Sequence, residues 1–255
     1  MHVFIEGETH IGKVRDENQD AIAWHIAPNG LFGYLVIADG MGGYTGGALA
    51  SRLAVETVTA ELADLPGSAL ASMIGDAIDD FLIQRIDHAI SRANDAIGQR
   101  KRESAEHFRH MGTTLVIALV WQRTLYVGHV GDSRAYLFRG QELSQLTSDH
   151  TVAQDLVASS QISAEEIAKL KLQDALTRAV GIDVTVNADV GSLALQPGDT
   201  ILCCTDGLTK HLTDYDIAHE LSLDLPLNQS CWRLIDAVLE AGARDNVSAG
   251  IIHVT

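Results

Sequence analysis

The sequence predicts an α+β fold in which two antiparallel β-sheets pack face to face as a central sandwich flanked by helices, a four-layer αββα arrangement. Three observations carry this expectation. Strand-like segments arrive in groups and do not alternate one by one with helices, so the pattern of a parallel sheet is absent. The helical segments are few and long. Only four prolines occur in 255 residues, and no linker, low-complexity tract or charge block divides the chain, so residues 1–255 are expected to form a single domain.

The elements follow in order. Residues 21–26 and 33–38 are short runs of branched, aromatic and apolar side chains that read as strands. Residues 46–62 read as a helix with apolar positions at Leu49, Leu53 and Val58. A stronger helical pattern comes next. Leu70, Met73, Ile74, Ala77, Ile78, Phe81, Leu82, Ile86, Ala89, Ile90, Ala93, Ala96 and Ile97 recur at three- and four-residue spacing. That spacing predicts one long amphipathic helix over 68–100, packed on its own sheet. Residues 113–121, 124–130 and 134–139 read as three strands in quick succession, with Gln122 and Arg123 in a tight turn. Residues 151–173 are polar and helical, with Ser163 as a cap ahead of Glu166. Strands resume at 188–194 and 200–205, a last helix covers 228–241, and 247–254 is a terminal strand.

Composition narrows the function. The chain is 46% hydrophobic and 20% charged, ordinary for a globular protein. Its formal charge is −16, from 34 acidic and 18 basic residues, which would repel a phosphate backbone or an anionic membrane, so neither is an expected partner. The opening MHVFIEGETH lacks the basic-then-apolar layout of a signal peptide, and no apolar run approaches the roughly 18 residues of a membrane span. A cytoplasmic monomer is the expectation. Cys203 and Cys204 are adjacent in an apolar run, where neighbouring side chains point to opposite faces. They form neither a disulfide framework nor a Cys-x-x-Cys site, and free thiols are expected.

The chemistry lies in aspartates placed at the mouths of apolar strands. YLVIADGMGG sets Asp39 and Gly40 at the end of one strand, and ILCCTDGL repeats the design with Asp206. RDNVSAGIIHV puts Asp245 just before a third, and VGHVGDSRAYL puts Asp132 between two others. Any single Asp-Gly pair reads as a turn. Four carboxylates aimed from strand ends into one cleft would repel one another unless divalent cations neutralise them. An all-oxygen donor set suits Mg²⁺ or Mn²⁺ better than zinc. The glycines after Asp39 let backbone approach closely, and the Gly40 carbonyl could itself be a ligand. The GxxxxGK[ST] pattern of a nucleotide-binding loop is absent. In GKVRDENQDA, Arg15 could grip two phosphate oxygens with its planar fork, or pair with Asp16 or Glu17 at the surface. His129 sits at a strand position and reads as a packed core histidine, whereas His150, beside Asp149, has the better claim to the cleft.

In order along the chain, GKVRDENQDA, VIADGMGG, MGTTLV, VGHVGDSRAYLFRG, LTSDHT, ALTRAVG, TDGL and RDNVSAGII resemble the motifs of bacterial metal-dependent, type 2C serine/threonine protein phosphatases. They extend from about residue 12 to 252. The resemblance implies the two-sheet sandwich with metals in a cleft at one end, and hydrolysis of phosphoserine and phosphothreonine in phosphorylated protein substrates. It further implies two or three divalent cations, Mn²⁺ or Mg²⁺. Asp39 would bridge two of them, with the Gly40 carbonyl on one. Asp206 and Asp245 would complete the other site, Asp20 would act through water, and Asp132 would help hold a weaker third ion. Arg15 would bind the substrate phosphate, residues 149–173 would form a flap, and a cognate Ser/Thr kinase would be the opposing partner. The chain departs from the pattern at Met41, where many eukaryotic members carry histidine. It departs again at Tyr44 and Ala48, where many bacterial members carry histidine and glutamate, and in KLKLQD, which replaces a histidine-proline run. The proton donor to the leaving group is therefore unassigned. A phosphoprotein-binding module without turnover is the competing reading, and intact Asp39, Asp206 and Asp245 argue against it.

Overall fold

In β3 (Phe32–Met41), Tyr34, Val36 and Ala38 face one apolar layer while Leu35 and Ile37 face another. A strand buried on both faces needs cover on both sides, and that requirement fixes the architecture. The computed structural model describes residues 1–43, 46–63, 65, 70, 76–103, 108–159, 175–223 and 225–255. Within them, one sheet has the order β1-β11-β10-β7-β8. These strands are β1 (Val3–His10), β7 (Arg134–Arg139), β8 (Glu142–Gln145), β10 (Thr200–Cys204) and β11 (Val247–Val254). The second sheet has the order β2-β3-β5-β6-β9, from β2 (Asp20–Ile26), β5 (Leu115–Trp121), β6 (Thr124–Val130) and β9 (Asp189–Ala194) with β3. The short β4 (Gly112–Thr113) pairs with the end of β3. Every pairing between these strands is antiparallel.

Three apolar layers result. Val3, Ile5, Leu35, Ile37, Val116 and Ile252 lie among the residues between the two sheets. Helices α1 (Gly46–Ala63) and α2 (Asp76–Glu103) cover the second sheet, with Ala54, Val58, Ile86, Ile90 and Ile97 buried against it. The first sheet is covered by α4 (Asp206–Thr209), α5 (Asp214–Ser222) and α6 (Leu227–Glu240), which bury Leu208, Ile217, Leu234 and Val238. The predicted αββα layering is the observed one. Cys203 faces the inter-sheet layer and Cys204 the helical layer, and both are free, as their adjacency requires.

The long helix is found as Asp76–Glu103, and its predicted start at 68–75 lies outside the described residues apart from Leu70, which is buried. Helix α3 (Val152–Ala158) opens the predicted polar helical stretch, with Thr151 as its cap. Ser163, Glu166, KLKLQD and most of the predicted flap at 149–173 lie outside the described residues, as does Tyr44. The predicted strand 113–121 is interrupted at Thr114: its backbone N–H keeps the in-register bond to the Asp39 carbonyl at 2.9 Å, but the Asp39 N–H turns to Thr114 Oγ1 at 2.9 Å and not to the Thr114 carbonyl. Among the described residues, no helix is long and apolar enough to cross a membrane.

Candidate metal centre and active site

Antiparallel pairing brings the aspartates together. Where two antiparallel strands are neighbours, the residue leaving one and the residue entering the other lie at the same end of the sheet. β10 and β11 pair with Cys204 opposite Ala249, so Asp206, just after β10, and Asp245, just before β11, share an end. β2 and β3 pair with Asp20 directly opposite Asp39. β7 sets Arg134 opposite Cys204, and β6 sets Val130 opposite Leu115, so the turn carrying Asp132 reaches that same end. One cleft of about 800 Å³ is lined by Arg15, Asp39, Gly40, Asp132, Asp206 and Asp245, together with Met41 and Arg178. Asp20 lies behind them.

The backbone around these carboxylates is tightly held. The Asp39 N–H donates to Thr114 Oγ1 at 2.9 Å and its carbonyl accepts from Thr113 Oγ1 at 2.8 Å. Thr114 Oγ1 in turn meets Ser133 Oγ at 2.7 Å, tying the Asp39 strand end to the Asp132 turn. Asn246 clips the loop bearing Arg15 to the start of β11: its Nδ2 donates to the carbonyls of Ile11 and Glu17 at 2.8 and 2.9 Å, and its Oδ1 accepts from the Gln19 N–H at 2.9 Å. A side chain at position 40 could not fit, because a Cβ there would stand 2.1 Å from the Gly47 carbonyl oxygen.

Electrostatics mark the cluster as incomplete. Burial, reinforced by Asp206 and Asp245, pushes Asp20 up to about 7, even though its Oδ2 accepts from Thr205 Oγ1 at 2.9 Å and Ser248 Oγ at 2.7 Å. Asp39 is raised well above the carboxylate range by burial and then by Asp20, Asp206, Asp245 and Asp132. Burial and Asp206 push Asp132 up to about 7. Asp20 Oδ1 and Asp206 Oδ1 are buried with no hydrogen-bond partner. An unpaired buried carboxylate oxygen is costly, and a cation is the ordinary remedy. The donor set of carboxylates and backbone carbonyl fits a hard divalent cation such as Mg²⁺ or Mn²⁺.

Two basic residues already act as counter-ions. Arg15 grips Asp245 with both arms, Nε to Oδ1 at 2.8 Å and Nη2 to Oδ2 at 2.9 Å, so its partner is neither Asp16 nor Glu17. Lys210 pairs with Asp206. Sequence reasoning missed Lys210, whose helical offset of four from Asp206 was the available clue. It also missed Arg178, which lies on the cleft wall within ALTRAVG and donates to Asp189 Oδ1 at 2.7 Å.

The histidines divide differently from expectation. His129 is a packed core residue as expected, stacked on His150 with ring centroids 4.5 Å apart and Nε2 2.9 Å from the Ser148 carbonyl. His150 does not reach the cleft. It is fully buried, its Nδ1 accepts from the Gly131 N–H at 3.1 Å, and its Nε2 faces Asp189 at 3.3 Å. Adjacency to Asp149 misled, because successive residues point apart: Asp149 turns to Arg134, which it holds at 2.7 Å. His129, His150 and Asp189 come within metal-ligating range of one another. With Nδ1 accepting, however, His150 Nε2 carries the proton and has no lone pair for a metal.

A family model described as "Protein phosphatase 2C" matches residues 6–249. "Protein phosphatase PhpP" of Streptococcus pneumoniae is 31% identical over 247 residues, covering 96% of this chain and 95% of that protein. Among solved structures, the S. agalactiae serine/threonine phosphatase superposes with a TM-score of 0.87 at 30% identity, covering 100% of both chains. The catalytic domain of the serine threonine protein phosphatase PstP, in complex with two manganese ions, superposes with a TM-score of 0.79 at 31% identity, covering 100% of this chain and 99% of that one.

Proposed function

The chain belongs to the protein phosphatase 2C family, and from that premise we propose a metal-dependent hydrolase that removes phosphate from phosphoserine and phosphothreonine in proteins. The observation that carries this reading is the convergence of Asp39, Asp132, Asp206 and Asp245 on one cleft, backed by two buried carboxylate oxygens with no partner. Asp39, Asp206 and Asp245 are the ligands of the divalent ions, with the Gly40 carbonyl beside Asp39. Asp20 supports them from behind through water, and Asp132 serves a weaker position. The whole chain acts as one catalytic domain. A cognate Ser/Thr kinase opposes it, and it works in the cytoplasm as a monomer.

When bound, the ions supply Lewis acidity: they lower the proton affinity of water and offset charge on phosphoryl oxygens. The remaining work belongs to the chain. Thr114, Thr113 and Asn246 fix the strand ends, so the carboxylates need no reorganisation during the reaction. Arg15 is placed at the rim with a fork that matches two phosphoryl oxygens. A cation held by Asp245 would compete with that fork for the carboxylate, leaving the Arg15 guanidinium able to face a phosphate dianion. In-line attack of water on phosphorus forms a new P–O bond as the bond to the serine or threonine oxygen breaks, and a proton from that water ends on the released hydroxyl, without a covalent phosphoenzyme. The thiols take no part. Cys203, Cys204 and Cys231 are buried free thiols, and burial pushes Cys204 and Cys231 up to about 12.

The test is hydrolysis of a phosphothreonine peptide with Mn²⁺, with and without chelator, by the wild type and by Asp39→Asn. Turnover should require metal and should fall at least about a thousandfold in the variant, since the central carboxylate is gone. Activity that survives full chelation defeats the metal mechanism. Wild-type rates in Asp39→Asn defeat the ligand assignment, and metal binding without turnover favours a phosphoprotein-binding module.

A further inference from the structure

Lys210 follows the one-turn helix α4 that Asp206 opens. Its backbone N–H donates to the Asp206 carbonyl at 2.8 Å, and its ammonium folds back onto the carboxylate of that residue. An i,i+4 pair on a helix is commonplace and worth a few tenths of a kcal/mol. This one differs in what surrounds it. Asp206 Oδ2 holds the ammonium while Oδ1 is buried with no partner, so the two oxygens face different tasks. The carboxylates of Asp206, Asp245 and Asp132 all act on that ammonium. Lys210 therefore stands in the field of the very carboxylates that would attract divalent ions.

Charge decides what that means. The carboxylates of Asp20, Asp39, Asp132, Asp206 and Asp245 carry five negative charges when ionised, and Arg15 and Lys210 return two. Two divalent ions then leave a small positive excess, which suits a phosphate dianion. A further divalent ion on the Asp206–Asp132 side would leave a large excess beside the ammonium paired with Asp206. We propose that Lys210 is a built-in cation that takes the place of a divalent ion on the Asp206–Asp132 side of the cleft, holding the centre to fewer bound metals. This rests on the metal-centre reading above and narrows it: in the wild type the weaker position beside Asp132 is filled by the ammonium, and Asp39, Asp206 and Asp245 hold the ions.

The experiment counts Mn²⁺ per chain by equilibrium dialysis and elemental analysis over a series of free Mn²⁺ concentrations. It uses the full chain as wild type, Lys210→Met, Lys210→Arg and the double variant Lys210→Met/Asp132→Asn. Lys210→Met should bind one Mn²⁺ more at saturation than the wild type. Lys210→Arg, which keeps the charge, should match the wild type, and the double variant should lose the added ion. Should Lys210→Met prove poorly folded by circular dichroism, Lys210→Gln takes its place, since the lysine side chain is 43% exposed. An unchanged count on removing the charge, whatever the affinity, overturns the proposal, as does an added ion that persists without Asp132. A wild type that binds no Mn²⁺ overturns the metal-centre reading itself, so the two failures are distinguishable.

Discussion

Arg15 is the residue whose structural and functional roles most directly compete, because the fork expected to hold phosphate is closed on Asp245. Losing a charge-assisted bidentate contact costs about 1.5–3 kcal/mol. Arg15→Ala should therefore raise KM for a phosphothreonine peptide by about 10- to 100-fold at saturating Mn²⁺, with a smaller change in kcat. Initial-rate kinetics check this, and an unaltered KM removes Arg15 from substrate binding. Asp20 and Asp132 give a second prediction at the same scale. Burial, with neighbouring carboxylates, raises both to about 7 from an ordinary value of 3.8. A group that binds its proton more tightly folded than unfolded stabilises the folded state below its folded pKa. Without metal, stability should thus decline as pH rises from about 4 through 7. A cation must displace those protons, so apparent Mn²⁺ affinity should climb over the same range, with proton release on binding. Calorimetry near pH 6 in buffers of different ionisation enthalpy reads that release, and an affinity flat from about pH 5.5 to 8 would contradict the assignment.

Helix α2 holds the second sheet by fitting into a gap that a glycine leaves. Gly128 on β6 has no side chain, and a Cβ there would stand 2.3 Å from Ile86 Cγ2. Ile86 is fully buried in that layer. Ile86→Ala should cost about 2–5 kcal/mol of stability, read from urea denaturation in excess chelator, because the space cannot collapse onto a bare glycine. The periodicity that makes α2 so legible in the sequence is this same packing face. Elements whose burial is less regular were less legible. β1 alternates only at Val3 and Ile5 before its pattern fades, and β8 spans four mostly exposed residues, so neither was anticipated. Helix α5 is short, with Ile217 its one fully buried residue, and is held by a Thr213–Asp216 capping box. The aspartates were legible because each adjoins an apolar strand that must be rigid. Thr205 and Ser248 were not, since their significance comes from strand order, which brings residues about 185 and 228 positions apart onto Asp20, whereas Lys210 was missed although its offset of four from Asp206 is local. His150 failed for the complementary reason: neighbours in sequence face opposite sides.

At the scale of the whole molecule, the acidic cluster sits where the two sheets meet at one end of the sandwich. Asp20 and Asp39 belong to β2 and β3 of the second sheet, while Asp206 and Asp245 flank β10 and β11 of the first. Like charges there push the sheets apart, on a chain already carrying a net −16. Only Arg15 and Lys210 oppose that push with direct ion pairs to the cluster among the described residues. A divalent ion shared between Asp39 and Asp206 or Asp245 would staple one sheet to the other, so metal binding is predicted to stabilise the entire domain and not one loop. An ion present at 100 times its dissociation constant adds about 2.7 kcal/mol to the folded state. For a domain of this size that corresponds to a rise in Tm of about 5–10 °C. Differential scanning calorimetry with Mn²⁺ against chelator should show a single transition moving upward as one. In Asp39→Asn, which removes the carboxylate belonging to the second sheet, the shift should shrink to less than half, even though Asp206 and Asp245 can still bind an ion. A full shift in that variant would mean that the ion rests on the first sheet alone and does not join the two halves of the sandwich.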